Sequence, residues 1–312
     1  MSLPRLIQVE ARAKLNLGLA IGPRRPDGFH ELATIFQTVS LADTLVAERR
    51  TRGFSLEVCH ENAAVRGAVP VDACALVPAG PRNLAFRAAQ LAARHAGLRG
   101  GVHLRLVKRI PAQAGLGGGS ADAAAALVAV FALCGARVPL ADRLALGAEL
   151  GADVPFALLG GAALGLGRGD RLTKLAAGLP FRAVIAVPRW RVPTARAFRD
   201  FDQLRYGLTR WKAKLRCAKA VGSMALEPQR ALRVGNAFEE VLGARRSSFI
   251  GLCGRLREAG LVQPHLTGSG SAVFGLLEPH ASAGKALARF RGGEVIYLVR
   301  SARRALEIRR LS

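Results

Sequence analysis

Between Val9 and Leu19 the chain alternates without a break. Glu10, Arg12, Lys14, Asn16 and Gly18 fall on one face; Ala11, Ala13, Leu15, Leu17 and Leu19 fall on the other. A period of two is that of a strand with one face in a core. Gly22-Pro23 stops the run, the polar stretch Arg24-Arg25-Pro26-Asp27-Gly28 follows, and a second strand-like run covers Ala33 to Val39. A hairpin is therefore expected. A further strand candidate lies near Phe54 to Val58, and Asn83 to Ala96 is a helix-forming run closed by Gly97. Val102, Leu104 and Leu106 then alternate with His103, Arg105 and Val107 until Pro111 ends the pattern.

Beyond Pro111 a glycine-rich turn opens onto an alanine-rich helix from about Ser120 to Leu133. A second helix over Leu140 to Leu150 ends at Gly151. The tight segment Ala152-Asp153-Val154-Pro155 leads into Phe156 to Leu159, after which glycines crowd residues 160–169. Ala183 to Val187 and Val295 to Val299 are strand candidates, the first of them opening a second domain. There is no internal repeat and no low-complexity linker. A chain of 312 residues is long enough for two domains sharing a cleft.

Half of the residues are hydrophobic and 22% are charged, the balance of a folded globular chain. The longest apolar run, Ala123 to Ala136, covers 14 residues. A helix crossing a bilayer needs about 20, so this run reads as a buried helix. The first residues pass directly into the alternating strand, which leaves no room for a signal peptide. Cys59, Cys74, Cys134, Cys217 and Cys253 are scattered, with no CxxC pair and no histidine at metal-ligand spacing. Reduced thiols in a cytoplasmic protein without structural zinc are expected.

The formal charge of +24 is carried by 39 arginines and only seven lysines. That bias fits a GC-rich genome together with a preference for polyanionic ligands. Between Arg182 and Lys219 eleven basic residues face only Asp200 and Asp202, with Trp190, Tyr206 and Trp211 interleaved. This segment suits a solvated helical face with packed tryptophans, and it also has the composition of a single-strand-binding surface. Nucleic-acid binding is thus the rival from a different functional class.

The chemistry concentrates in Pro111-Ala112-Gln113-Ala114-Gly115-Leu116-Gly117-Gly118-Gly119-Ser120-Ala121-Asp122. Glycines let backbone N–H groups converge on a phosphate, and a helix N-terminus adds unpaired donors and the positive end of its dipole. No Lys-Ser/Thr pair follows, so this is not a Walker A loop, and the GxGxxG spacing is missing too. A flexible hinge is the alternative, with Ser120 and Asp122 merely capping the helix. Lys14 and Asn16 share a strand face and either point into one cleft or stand in solvent. Asp153 either ends a helix or offers a carboxylate to a substrate hydroxyl. Phe29, His30 and Phe36 form either ordinary packing or a base-stacking pocket, and Thr267-Gly268-Ser269-Gly270 is at least a tight turn.

The loop resembles the central motif of the GHMP kinases, and its Gly-Leu-Gly-Gly-Gly-Ser form resembles the kinases of 4-diphosphocytidyl-2-C-methyl-D-erythritol. Ala13-Lys14-Leu15-Asn16-Leu17, Arg25-Pro26-Asp27-Gly28-Phe29-His30, Leu150-Gly151-Ala152-Asp153-Val154-Pro155 and Leu266-Thr267-Gly268-Ser269-Gly270 resemble that family's blocks in the same order. The resemblance is strongest over 9–169 and 236–274 and weakest over 201–234. It implies a two-domain α+β fold, with a ribosomal-protein-S5-like domain over 1–178, a ferredoxin-like α/β sandwich over 179–312, and the active site between them. It implies ATP-dependent phosphorylation of the substrate's 2-hydroxyl in non-mevalonate isoprenoid synthesis by a monomer or homodimer. Homoserine-type and mevalonate-type kinases are the alternatives.

By the same resemblance Asp153 is the general base beside Lys14. Pro111, Gly115, Leu116, Gly117, Gly118, Gly119 and Ser120 bind ATP, and Ser120 touches Mg2+. Asn16, Phe29, His30, Phe36, Thr194, Thr267, Gly268 and Ser269 hold the cytidine diphosphate substrate. Phe29 stands where the family usually has Tyr, which removes a phenolic hydrogen bond and keeps the aromatic face.

Overall fold

A computed structural model describes residues 4–67, 77–204, 208–223 and 225–311. Cys74 and Tyr206 lie outside the described residues. Among the described residues the strands form one seven-stranded and one four-stranded sheet.

The expected hairpin opens the first sheet: β1 (Leu6–Arg24) pairs antiparallel with β2 (His30–Arg50). β3 (Phe54–His60) runs parallel to β4 (Gly101–Lys108), which in turn pairs with β2. Helix α1 (Leu84–His95) starts at Asn83, whose side chain caps Ala85 N–H, and it packs on α2 (Gly118–Leu133). Residues Ala121 to Ala126 of α2 are almost wholly buried against β1 and β2, where small side chains allow close approach. A helix that is apolar all round belongs in an interior.

The alternation of β1 holds on its apolar face, with Ala11, Ala13, Leu15 and Leu17 at 1% exposure or less. The opposite face is not solvated beyond Ala13: Lys14 and Asn16 are buried as well. The half-buried strand is thus half-buried only in its first part. A side chain at Gly18 would lie 2.6 Å from Val234 Cβ, so a segment more than 200 residues away covers that face.

Helices α3 (Leu140–Leu150) and α4 (Val154–Leu159) follow, then β5 (Ala162–Gly167) and β6 (Arg171–Lys174). Glycine crowding hides β5 in the sequence, yet Gly165 is required there: a Cβ would meet the Phe36 ring at 2.8 Å.

The chain enters the second sheet at β7 (Arg182–Val187), continues through α5 (Thr194–Asp202), α6 (Leu208–Gly222), α7 (Pro228–Leu232) and α8 (Arg246–Glu258), and returns in β8 (Leu261–Leu266) and β9 (Val273–Leu277). After α9 (Ala283–Arg289), β10 (Val295–Arg300) completes the antiparallel order β10-β7-β9-β8. The last strand, β11 (Leu306–Leu311), rejoins the first sheet beside β1. A linear division of the chain at 178 does not anticipate that return.

Candidate active site

A cleft of about 630 Å3 lies between the glycine loop, the hairpin end and the second sheet's loops. Gly115 and Gly117 sit at φ of +78° and +72°, where a side chain is strained. A Cβ on Gly115 would come within 2.1 Å of the Thr267 carbonyl oxygen. Gly119 differs: the nearest atom to a Cβ there is 3.8 Å away, and the residue is exposed. Helix α2 begins at Gly118 with Gly117 as its N-cap and no side-chain cap. Neither Ser120 nor Asp122 caps it, so its first N–H groups remain available to an anion.

Asp153 precedes α4 at the N-cap position without making a capping bond. Its carboxylate instead faces Lys14, Oδ2 to Nζ at 3.4 Å. Lys14 Nζ also donates to Asn16 Oδ1 at 2.5 Å and stands 5.6 Å from the centre of the Phe36 ring. Asn16 Nδ2 donates to Thr34 Oγ1 at 2.7 Å, which fixes the amide that orients the lysine. Phe36 is buried and stacked on Phe156, ring centres 4.6 Å apart, forming the floor beneath Lys14.

The two glycine-rich turns are stapled together. Thr267 Oγ1 accepts the Asn16 N–H at 3.0 Å and donates to the Gly115 carbonyl at 3.3 Å, while Ala272 N–H donates to the Ala114 carbonyl at 3.1 Å. Asn236 Nδ2 donates to the carbonyls of Leu266 and Gly268 at 2.8 and 2.9 Å. Thr267 is thus fully buried in structural bonds, and Gly268 and Ser269 are the residues of this turn that line the cleft. Ser269 Oγ lies 2.9 Å from Thr194 Oγ1.

At the hairpin end Phe29 is half exposed, with the Arg168 guanidinium 5.1 Å from its ring centre. His30 is buried and bonded through Nε2 to Asp202 Oδ1 at 2.8 Å.

These features point to a nucleotide-dependent phosphotransferase, and relatives decide which. Residues 83–161 match the family model for the GHMP kinases N terminal domain. The 4-diphosphocytidyl-2-C-methyl-D-erythritol kinase of Solibacter usitatus is 38% identical over 88% of this chain and 83% of its own length. That of Pelotomaculum thermopropionicum is 38% identical over 92% of this chain and 94% of its own. A crystal structure of 4-(cytidine 5'-diphospho)-2C-methyl-D-erythritol kinase superposes with a TM-score of 0.71 at 37% identity, covering 94% and 98% of the two chains. The chain belongs to the 4-diphosphocytidyl-2-C-methyl-D-erythritol kinases. Homoserine kinase from Cytophaga hutchinsonii has a TM-score of 0.74 at 18% identity, covering 99% of this chain and 98% of its own, and shares the fold alone.

In this kinase three features escaped the sequence reading. Lys108, at the end of β4, donates to Asp43 and to Asp122 Oδ2, the latter at 2.6 Å, directly beneath the glycine loop. Asp43 Oδ1 also accepts the N–H groups of Arg109 and Ile110. Burial alone would lower the Lys108 pKa, but the two carboxylates outweigh it and hold the ammonium above its usual range. Burial pushes the Asp122 carboxyl well above the ordinary carboxylate range, and among the described residues its Oδ1 has no hydrogen-bond partner. The signal available was the rarity of lysine and the flanking of the loop by Lys108 and Asp122. The other two features are Arg168 against Phe29, in a segment marked only by its glycines, and Phe198, Phe201 and Asp202 around His30, in a segment marked only by Thr194 and its charge.

In the basic segment Trp211 is not at the surface. Trp211 is buried against Gly22, where a Cβ would fall 2.5 Å from the indole, and Trp190 packs partly buried on the second domain's core. Arg210 pairs with Glu240 at 2.9 Å. Bases would find no open face on the Trp211 indole, which removes one platform from the strand-binding reading. Among the described residues no helix is long and apolar enough to cross a membrane. Cys59, Cys134, Cys217 and Cys253 are free thiols.

Proposed function

We propose that this cleft transfers the γ-phosphoryl group of ATP to the 2-hydroxyl of 4-diphosphocytidyl-2-C-methyl-D-erythritol, with Asp153 as the base and Lys14 as its cationic partner. The observation that carries the reading is the Lys14–Asp153 pair at 3.4 Å, set between an uncapped helix N-terminus and an aromatic hairpin end. The N–H groups from Gly118 to Ser120 hold the transferred phosphate. The apolar wall of Val77, Pro78, Leu84 and Ile110, at the loop's other side, accommodates the nucleotide base. Phe29 offers its exposed face to cytosine with His30 at the base edge, and Thr194, Gly268 and Ser269 lie across the cleft for the diphosphate and the polyol.

Phosphoryl transfer proceeds through a loose transition state, so alignment and charge neutralisation supply most of the rate. Lys14, fixed by Asn16, lies beside Asp153 and provides that positive charge. Asp153 accepts the proton of the attacking hydroxyl. Among the described residues no group of three or more His, Cys, Asp or Glu is placed to hold a metal. The donor set fits Mg2+ carried in by the nucleotide, since that ion takes few protein ligands and keeps waters and phosphates. Ser120, half-buried at the helix start, is the residue placed to touch it, and the bound ion would neutralise charge on the phosphates. Free thiols agree with a cytoplasmic enzyme. ADP release that depends on the cytidine substrate tests the reading; purified protein that forms no ADP with it overturns the assignment.

A further inference from the structure

His30, the first residue of β2, is held on three sides by one helix. The Phe198 ring stacks on its face with centres 5.3 Å apart and 17° between planes, and Phe201 meets it edge-on at 6.0 Å. Asp202 Oδ1 lies 2.8 Å from Nε2. All three partners belong to α5, so that helix fixes both the plane and the rotation of the imidazole. Asp202 is the last residue of α5, an end where the helix dipole disfavours a carboxylate. A residue set against its local preference signals a demand from elsewhere in the fold.

An ionised carboxylate only accepts, so the imidazole nitrogen facing it carries the hydrogen, and in the neutral ring the other nitrogen keeps its lone pair. For His30 that other nitrogen is Nδ1, and the residue lines the same cleft as Phe29. We propose that Asp202 is a positioning residue that sets base specificity: by holding His30 as its Nε2–H tautomer, it presents Nδ1 as an acceptor to the exocyclic amino group of cytosine. Uracil carries a carbonyl oxygen at that position, an acceptor facing an acceptor, and is rejected. Partners that fix the tautomer of a metal-bound histidine from behind are worth about 10- to 100-fold, and an effect of that order is expected for His30. The inference rests on the reading that the cytidine end lies against Phe29 and His30.

The test combines kinetics with nitrogen NMR of histidine-labelled protein. In the wild type the His30 hydrogen resides on Nε2, and titrating cytidine monophosphate shifts the Nδ1 signal. Asp202→Ala raises KM for the cytidine substrate about 10- to 100-fold, leaves kcat and the KM for ATP unchanged, and erodes the preference over the uridine counterpart by the same factor. Asp202→Asn, whose Oδ1 still accepts, retains most of that preference. An Asp202→Ala enzyme that loses both substrates equally, or neither, overturns the proposal. So does a wild-type His30 protonated on Nδ1. If cytidine monophosphate leaves every wild-type histidine signal unmoved, the base-site reading itself fails; a shift without an Asp202 effect removes Asp202 alone.

Discussion

Lys14 Nζ lies 3.4 Å from Asp153 Oδ2 and donates to Asn16 Oδ1 at 2.5 Å. The lysine is therefore aimed by an amide that is itself fixed by Thr34, and it reaches a carboxylate that caps nothing. Lys14→Met removes one positioned charge from the proposed transfer site. Mutations of this kind cost about 100- to 1000-fold in kcat, and that loss is expected here with ATP affinity changed only a few-fold. Steady-state kinetics together with calorimetric titration of ATP checks both halves.

Gly115 and Gly119 separate structural from functional glycine. Gly115→Ala forces a methyl toward the Thr267 carbonyl at a φ of +78°. The backbone strain alone is on the order of 1–3 kcal/mol, and thermal melting should register a clear drop. Gly119→Ala meets nothing closer than 3.8 Å and should melt within a few degrees of the wild type while raising KM for ATP, because its methyl stands on the open side of the loop.

Much of this site was legible from local pattern, because the glycine loop, the Lys14–Asn16 face and the Asp153 turn each announce themselves within a few residues. What was not legible depends on distant segments. The polar face of β1 is buried because Val234 and Thr267 close over it, and no pattern between residues 9 and 19 records that. Strand β5 is masked by the glycines that let it pass Phe36. Asp202 looked like a counter-charge in a basic run, and only the meeting of α5 with the hairpin reveals its contact with His30.

The Asp43–Lys108–Asp122 cluster predicts a pH-dependent stability. Burial raises Asp122 above its unfolded value of about 3.9, so the native state holds that proton more tightly. The stability this group contributes is complete below the unfolded value and is lost as pH climbs through the interval up to the native one. In Asp122→Asn that loss disappears, and urea midpoints compared from acid pH upward should show a flatter profile. Lys108→Met leaves buried carboxylates without their cation and should cost about 3–5 kcal/mol by the same denaturation.

Phe29 has half of its surface exposed and a guanidinium on one side, which leaves a ring face open for the proposed stack with cytosine. A base stacked on an aromatic side chain is worth about 1–3 kcal/mol. Phe29→Ala should accordingly raise KM for the cytidine substrate about tenfold or more with KM for ATP unmoved, and Phe29→Tyr should retain the wild-type value.

If Asp153 acts on the acceptor hydroxyl, the cleft should bind ATP independently of it. Single-turnover ADP formation with the cytidine substrate, measured for wild type and Asp153→Asn at saturating ATP, tests that role most directly. Rapid turnover is expected in the wild type and a near-complete loss in the variant, with ATP binding intact. Turnover in Asp153→Asn at the wild-type rate would contradict that role.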